Sequence, residues 1–276
     1  MLCLLIPIVT AFTPYNLPSW AFMWIMAASL WLCLKLLTLF DINIKPSIAR
    51  LLGYLLAWPG MDAREFFAPK KNLPKPGASF FAGGLAAAVI GIFLLFGVAP
   101  AMKDTAPLLS GWTAMTGIVL TLHFGIFKLL AGTWRCIGLA VTPLMNAPMK
   151  ATSLSEFWGR RWNTGFSIPA RRLFVESVAP IIGAPAATLL VFLISGLLHE
   201  LVISWPARGG YGLPTLYFLI QGAGVLFERS RPALRGRILT SAVIIGPLFW
   251  LFHPPFVARV ILPFLNTITA LKGAVL

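Results

Sequence analysis

The most chemically distinctive residues of this chain are a histidine and a glutamate at the end of a long apolar run. The run begins near Leu189 and leads into the stretch 195–200, which reads Ser-Gly-Leu-Leu-His-Glu. Ionisable side chains are costly to place in a bilayer, so His199 and Glu200 predict a functional site. Because burial disfavours the charged imidazolium, we expect His199 to be a neutral base that can accept a proton.

A second segment, upstream of the histidine, is rich in aromatic and basic residues. Residues 152–168 read Thr-Ser-Leu-Ser-Glu-Phe-Trp-Gly-Arg-Arg-Trp-Asn-Thr-Gly-Phe-Ser-Ile. Ser153 and Glu156 have the spacing of a capping box, in which each side chain satisfies a backbone donor at the start of a helix. The pattern predicts an amphipathic helix that lies at the membrane surface.

Aromatic residues in this segment repeat at every fourth position. Trp158, Trp162 and Phe166 would then share one face of the helix. Asn163 would lie near the end of the helix, where its amide either caps the helix and faces water or points inward toward the next spans. Gly165 is expected to let the backbone turn back toward the bilayer.

Composition predicts the class of protein. Of the 276 residues, 58% are hydrophobic and 11% are charged, which is too apolar for a soluble domain. Apolar runs recur from residue 1 to residue 271, so we expect a single integral membrane domain over 1–276. The predicted fold class is all-α, a polytopic membrane protein with about eight transmembrane helices plus interfacial amphipathic helices. The predicted spans are 1–14, 18–39, 79–100, 111–131, 186–204, 212–228, 238–252 and 254–271.

Basic residues are unevenly distributed among the connections. Those at 40–78, 132–172 and 229–237 are basic, whereas those at 101–110 and 205–211 carry one Lys or Arg each. This alternation places the basic connections and both termini in the cytoplasm, with the chain in the cell (inner) membrane. The formal net charge of +14 then reflects topology and anionic headgroups, so membrane lipids rather than nucleic acids are the expected partners.

Two proline-containing stretches are expected to bend the chain. The turn 58–62, Trp-Pro-Gly-Met-Asp, is interpreted either as a solvated hinge or as a lid over a cytoplasmic entrance. Pro180 and Pro185 are expected to break any helix that runs toward His199, so that the span begins near Ala186 and holds His199 within the bilayer.

The two chemical segments together resemble membrane-bound O-acyltransferases. The stretch 157–163, Phe-Trp-Gly-Arg-Arg-Trp-Asn, precedes His199 by 36 residues from its asparagine, and this order and separation are similar to the wax synthase-like branch of that family. The resemblance is strongest over 150–200 and extends to the turn 58–62. It implies Asn163 and His199 as the catalytic residues, with Glu200 beside them.

This resemblance implies transfer of an acyl group from a thioester, acyl-CoA, to the hydroxyl of a lipophilic alcohol. His199 would deprotonate the alcohol, and Asn163 would orient the alcohol or donate to the developing oxyanion. Acyl-CoA is a co-substrate, and neither a cofactor nor a metal is required. The expected substrate-binding residues are Trp158, Arg160, Arg161, Trp162 and Glu200. The arginines either bind phosphates of the donor or serve as ordinary topogenic charges.

A proton-coupled transporter is the main alternative from another class. In that case His199 and Glu200 would form a relay to which His123 contributes, although no internal repeat typical of transporters is found. His123 is equally consistent with a buried histidine bonded to a carbonyl, and His253, which precedes two prolines, is expected at the interface.

Other chemistries are less consistent with the residues. Ser195 lies four positions before His199, but no Gly-x-Ser-x-Gly elbow surrounds it. A zinc-protease motif would need a second histidine at position 203, which is Ile203. Three cysteines without paired spacing predict neither a zinc site nor a disulfide framework. The oligomeric state is left open by the sequence.

Overall fold

The computed structural model describes residues 5–12, 16–69 and 74–275. The regular elements in these ranges are all helices, which confirms the predicted all-α class. In chain order they are α1 (Leu5–Phe12), α2 (Ser19–Phe40), α3 (Ile48–Ala57), α4 (Ala63–Phe67), α5 (Ala78–Met102), α6 (Pro107–Cys136), α7 (154–161), α8 (164–182), α9 (Ala184–Ala207), α10 (Leu213–Ser230), α11 (Arg237–Leu251) and α12 (254–275).

Within the described ranges, five helices are long and apolar enough to cross a bilayer. They are α2, α5, α6, α9 and α12, and each coincides with a predicted span. The other three predicted spans fall on α1, α10 and α11. Of these, α1 is described only from Leu5, and α11 is interrupted by a turn at 246–247. Five predicted spans are thus matched, and the remaining three stay predictions.

Glycines allow the spanning helices to pack closely. A Cβ at Gly196 of α9 would lie 2.6 Å from the Cα of Thr215 in α10, and one at Gly125 of α6 would lie 2.8 Å from the Cβ of Ala88 in α5. Small residues at such contacts let helix backbones approach each other, which is a main source of helix association in membranes. The close approach of α9 to α10 places α10 beside His199.

The turn 58–62 is neither a solvated hinge nor a lid. Trp58 is 2% exposed and Asp62 is 5% exposed. The indole of Trp31 in α2 donates to the carbonyl of Pro59 at 2.9 Å, which ties the turn to a spanning helix. The turn was expected to be mobile because proline and glycine favour loops, but the indole of Trp58 packs against Phe66 in a buried cluster and holds the turn in the core.

Charged residues join several elements on the side of the molecule where α2 ends. Arg172 of α8 lies 3.1 Å from Asp62 and 3.5 Å from Asp41. Asp41 also pairs with Arg64 of α4 at 2.7 Å. The ion pairs therefore link the end of α2, the turn 58–62 and α8.

The segment 140–146 is held against α4. The backbone N–H of Thr142 donates to the carboxylate of Glu65 at 2.9 Å, and its hydroxyl donates to the same oxygen. Burial raises the pKa of this carboxyl, while the hydrogen bonds from Thr142 oppose that shift. The segment that follows α6 is therefore fixed before it reaches the aromatic helix α7.

We predict that Gly196→Ala destabilises the protein. Its methyl group would overlap the backbone of Thr215, so α9 and α10 must separate, at a cost of about 1–3 kcal/mol. The expected result is a lower melting temperature in detergent, measured by tryptophan fluorescence. Gly159→Ala is the matched control because a Cβ there meets no atom within 4 Å. Equal melting temperatures for the two variants would contradict the packing assignment.

Candidate active site

The imidazole of His199 is fixed by a hydrogen bond within its own helix. Nδ1 lies 2.7 Å from the backbone carbonyl oxygen of Ser195. A carbonyl oxygen can only accept, so Nδ1 carries a proton, and in the neutral imidazole Nε2 presents a lone pair. Among the described residues, no hydrogen-bond partner reaches Nε2. The neutral form of His199 therefore has a free nitrogen that can accept a proton.

The position of His199 in the bilayer follows from a break before α9. Gly183 has φ +85°, which ends one helix and starts the next, close to the predicted break between Pro180 and Pro185. His199 is fifteen residues beyond Ala184, or roughly 22 Å along the helix axis. The predicted break is confirmed, and His199 lies inside the candidate span 184–207; its depth in the bilayer stays a prediction.

Glu200 caps the start of α10. Its Oε1 accepts hydrogen bonds from the backbone N–H of Gly212 at 3.0 Å, and from the backbone N–H and hydroxyl of Thr215 at 3.1 and 2.9 Å. A carboxylate at a helix N-terminus is stabilised by the exposed N–H groups there. Within the described part of the chain, Oε2 is buried without a partner. The structure thus shows Glu200 as an anchor between α9 and α10.

The aromatic segment does not form one continuous helix, so the prediction of a single helix over 152–168 is wrong. Helix α7 is π-helical from Phe157 to Arg161, and the N–H of Trp162 donates to the carbonyl of Phe157 at 2.8 Å. Trp162 is extended and Asn163 begins α8. A π-turn holds more residues than an α-turn, so the four-residue repeat does not keep the tryptophans on one face.

The predicted capping box forms only in part. The Ser153 hydroxyl accepts from the N–H of Glu156 at 3.0 Å, as expected. The carboxylate of Glu156 instead accepts from the N–H and hydroxyl of Thr152 and pairs with Arg161 at 2.6 Å. The backbone hydrogen bond from Thr152 is the main cause that lowers the pKa of Glu156, and Arg161 adds to it.

Asn163 is held by its backbone, and its side chain is left without a partner among the described residues. Its φ of +44° is left-handed, so Asn163, rather than Gly165, makes the turn. The neighbouring Thr164 donates its N–H to the carbonyl of Leu144 at 3.0 Å and its hydroxyl to that of Pro143 at 2.9 Å. The half-buried carboxamide of Asn163 is therefore available to bind a ligand.

Aromatic contacts connect α7 to the histidine. The indole of Trp158 donates to Oε1 of Gln221 at 3.2 Å, and its ring lies 5.6 Å from that of Phe218. Phe218 in turn lies 4.4 Å from the imidazole of His199. Helix α10 thus brings the two motif segments into one region, although it is not part of either motif.

Trp162 packs on the other side of α7. Its ring stacks on Phe157 at 5.4 Å and an interplanar angle of 15°, and it approaches Phe124 of α6 at 6.4 Å. The two tryptophans predicted to bind substrate therefore face different helices, Trp158 toward α10 and Trp162 toward α6.

The arginines near Asn163 differ in their partners. Arg161 pairs with Glu156 and donates to the carbonyls of Asn146 and Ala147 at 3.2 Å. Arg171 pairs with Glu176 at 3.2 Å. Arg160 is exposed, and the structure gives its guanidinium no partner in the described residues. Arg160 is the better candidate of the two predicted phosphate-binding arginines, because Arg161 is occupied.

An open cavity of about 290 Å³ lies beside this segment. It is lined by Phe80, Arg135, Ala140, Val141, Thr142, Pro143 and Asn146. The amide of Asn146 also donates to the carbonyl of Arg160 at 3.4 Å, which connects the cavity to the arginine. Sequence reasoning did not single out Arg135, because it closes a spanning helix and looks like a topogenic charge.

Glu228 was also missed by sequence reasoning. It is 1% exposed at the end of α10, and its Oε2 accepts the N–H of Leu154 at 2.7 Å. This bond places the start of α7 against α10. The partner is 74 residues away along the chain, so no local pattern predicts it.

The other two histidines differ from His199. His253 is fully buried in the protein, and both nitrogens are satisfied: Nδ1 accepts from the N–H of Phe256, and Nε2 lies 3.2 Å from the Ser204 hydroxyl. Its expected position at the membrane interface stays a prediction. In the described structure, Nδ1 of His123 is buried without a partner, so the expected bond to a carbonyl is not formed by that nitrogen.

Comparison with known proteins gives a match over the same region of the chain. The model of the membrane bound O-acyl transferase family matches residues 141–220, which include Asn163 and His199. Over this segment the chain is similar to that family. It is also similar to a probable long-chain-alcohol O-fatty-acyltransferase 2 of Arabidopsis thaliana, 32% identical over 43% of this chain and 40% of the relative.

Two further curated proteins are similar to this chain. A long-chain-alcohol O-fatty-acyltransferase of Simmondsia chinensis is 31% identical over 44% of this chain and 40% of that protein. An acyl-CoA–sterol O-acyltransferase 1 of Arabidopsis thaliana is 30% identical over 50% of this chain and 48% of that protein. The aligned residues span less than half the length of these curated relatives.

We predict that Glu200→Ala destabilises the protein and that Glu200→Gln does so less. Alanine leaves the donors of Gly212 and Thr215 without their cap, which costs about 0.5–2 kcal/mol. Glutamine retains a carbonyl oxygen that can accept the same hydrogen bonds. Melting temperatures in detergent test this order, and a Gln variant as unstable as the Ala variant would contradict it.

Proposed function

We propose that this protein transfers an acyl group from acyl-CoA to the hydroxyl of a lipophilic alcohol. The single observation that carries the proposal is the free Nε2 of His199, held as a lone pair by the hydrogen bond of Nδ1 to Ser195. The names of the similar proteins, long-chain-alcohol and sterol O-acyltransferases, support the choice of acceptor and donor.

The reaction follows from the positions of the protons. Nε2 of His199 accepts the hydroxyl proton as the alcohol oxygen attacks the thioester carbonyl carbon. The C–S bond then breaks, the electron pair leaves on sulfur, and the imidazolium returns the proton to the thiolate. The carbonyl of Ser195 stabilises the transient imidazolium through Nδ1. The products are an ester and free coenzyme A.

Asn163 is proposed to stabilise the oxyanion. Its carboxamide has no partner within the described residues, and an amide N–H directed at the developing negative charge lowers the barrier. Trp158 and Trp162 would line the space that holds the acyl and alcohol chains. The ring of Trp158, in α7, lies against α10, and the ring of Trp162, just after α7, approaches α6.

The phosphates of the donor are proposed to bind at the 290 Å³ cavity, near Arg135 and Arg160. Guanidinium groups pair well with phosphate oxygens. The basic connections, both termini and this cavity would then face the cytoplasm, with the protein in the cell (inner) membrane. The acyl chain would enter the bilayer, while the nucleotide stays in water.

A proton relay through His199 and Glu200 has less support. Oε1 of Glu200 accepts three hydrogen bonds from Gly212 and Thr215, so the side chain is held as an anchor at the start of α10. The similarity of residues 141–220 to the membrane bound O-acyl transferase family also favours acyl transfer over transport.

His199→Ala should abolish ester formation, and Ser195→Ala should preserve it. Loss of a general base lowers kcat by about 10²–10⁴-fold, whereas alanine at 195 keeps the carbonyl that orients the ring. The measurement is thin-layer and mass-spectrometric analysis of esters formed by membranes given labelled acyl-CoA and long-chain alcohols. Loss of activity in Ser195→Ala would indicate a serine nucleophile, and unchanged lipids with altered solute uptake would favour a transporter.

The double variant Arg135→Gln/Arg160→Gln should raise KM for acyl-CoA. Losing charge-assisted hydrogen bonds of about 1.5–3 kcal/mol corresponds to roughly tenfold or more in affinity. KM for an acyl thioester of N-acetylcysteamine, which lacks the nucleotide, should stay unchanged. Arg171→Gln is the control because Arg171 is already paired. An equal rise in KM for both thioesters would contradict phosphate binding at this cavity.

A further inference from the structure

The turn 58–62 contacts the beginning of the helix that Asn163 starts. The N–H of Met61 donates to the carbonyl of Gly165 at 3.2 Å. A Cβ at Gly165 would lie 3.0 Å from the Cα of Gly60. The two backbones are therefore in direct contact, two residues beyond Asn163.

The same turn also holds the helix about two helical turns further on, at Arg172. Asp62 accepts from both terminal nitrogens of Arg172, with Nη2 at 3.1 Å from Oδ1 and Nη1 at 3.5 Å from Oδ2. Two parallel hydrogen bonds of this kind fix orientation as well as distance. Asp62 is itself fixed, because it is buried and its Oδ1 also accepts the N–H of Glu65 at 3.3 Å.

These two attachments determine where the carboxamide of Asn163 lies. Its side chain makes no hydrogen bond to the described residues, so only the backbone can hold it in place. A helix fixed at both Gly165 and Arg172 can neither slide along its axis nor rotate about it. Misplacing a catalytic group by about 1 Å can cost on the order of 10²-fold in rate.

We propose that Asp62 and Arg172 are positioning residues for Asn163 in the acyl-transfer reaction. The inference rests on the proposed function. Neither side chain touches the reacting atoms; each acts through the backbone of α8. The hydrogen bonds from Thr164 to the carbonyls of residues 143 and 144 hold the start of α8 independently of the ion pair. Loss of the ion pair therefore shifts Asn163 but does not unfold the start of the helix.

Kinetic analysis of Asp62→Asn tests this assignment. The variant keeps the shape of the side chain and an oxygen for the N–H of Glu65, but it loses the charge that pairs with Arg172. We expect kcat to fall about tenfold, which corresponds to about 1.4 kcal/mol, with KM for alcohol and acyl-CoA unchanged. Arg64→Gln is the matched control: Arg64 pairs with Asp41 in the same group of charges, but it does not contact α8, and kcat should stay at the wild-type value.

A double-mutant cycle separates positioning from a general structural role. Asn163→Gly removes the carboxamide and tolerates the left-handed backbone. If Asp62 acts by placing that carboxamide, adding Asp62→Asn to Asn163→Gly lowers kcat no further. If the two losses multiply, or if Arg64→Gln is equally slow, the inference is wrong.

A second variant, Arg172→Lys, provides the same test if Asp62→Asn does not fold. Arg172→Lys keeps the charge but loses the two-pronged geometry, and it should show the same coupling to Asn163→Gly. Should Asp62→Asn fail to accumulate in membranes, this variant decides the question by the same criterion. Absence of any ester with the wild-type protein would instead overturn the proposed function, so the two failures are distinguishable.

Discussion

The hydrogen bond between Nδ1 of His199 and the carbonyl of Ser195 is the interaction on which the candidate site depends. It selects one tautomer, prevents the ring from turning, and leaves the opposite nitrogen free in a region where an unpaired polar atom is costly. Because donor and acceptor belong to the same helix, the arrangement needs no distant residue to form. Neighbouring helices only have to leave room for a ligand beside Nε2.

Helix α10 organises the rest of the site while contributing to neither motif. Glu200 caps its first turn, Phe218 lies against the imidazole, Gln221 binds the indole of Trp158, and Glu228 binds the start of α7. A buried carboxylate in a membrane protein must be paired or hydrogen-bonded, and these contacts meet part of that need. The histidine helix and the aromatic helix are therefore joined through a third element.

The sequence predicts the motifs well and their contacts poorly. Apolar runs, the proline-rich break before α9 and the Ser153 cap follow from local patterns, which depend on residues a few positions apart. The roles of Glu200, Glu228 and Arg161 depend on partners that only folding brings together. The error at Trp162 has a different cause: an i to i+5 hydrogen bond from Trp162 to Phe157 changes the periodicity, and α-helical spacing gives no sign of it. The turn 58–62 was misread because its proline and glycine favour a loop while the side chain of Trp58 favours burial.

The left-handed backbone of Asn163 restricts how this position can evolve. Asparagine, aspartate and glycine tolerate such a conformation far better than other residues, and of these three only asparagine has an amide that donates hydrogen bonds. A bulkier or branched side chain at this position would strain the left-handed backbone, whatever the chemistry of the site. One dihedral angle thus limits position 163 to a few residue types, and the hydrogen bonds that the site requires decide which of them is used.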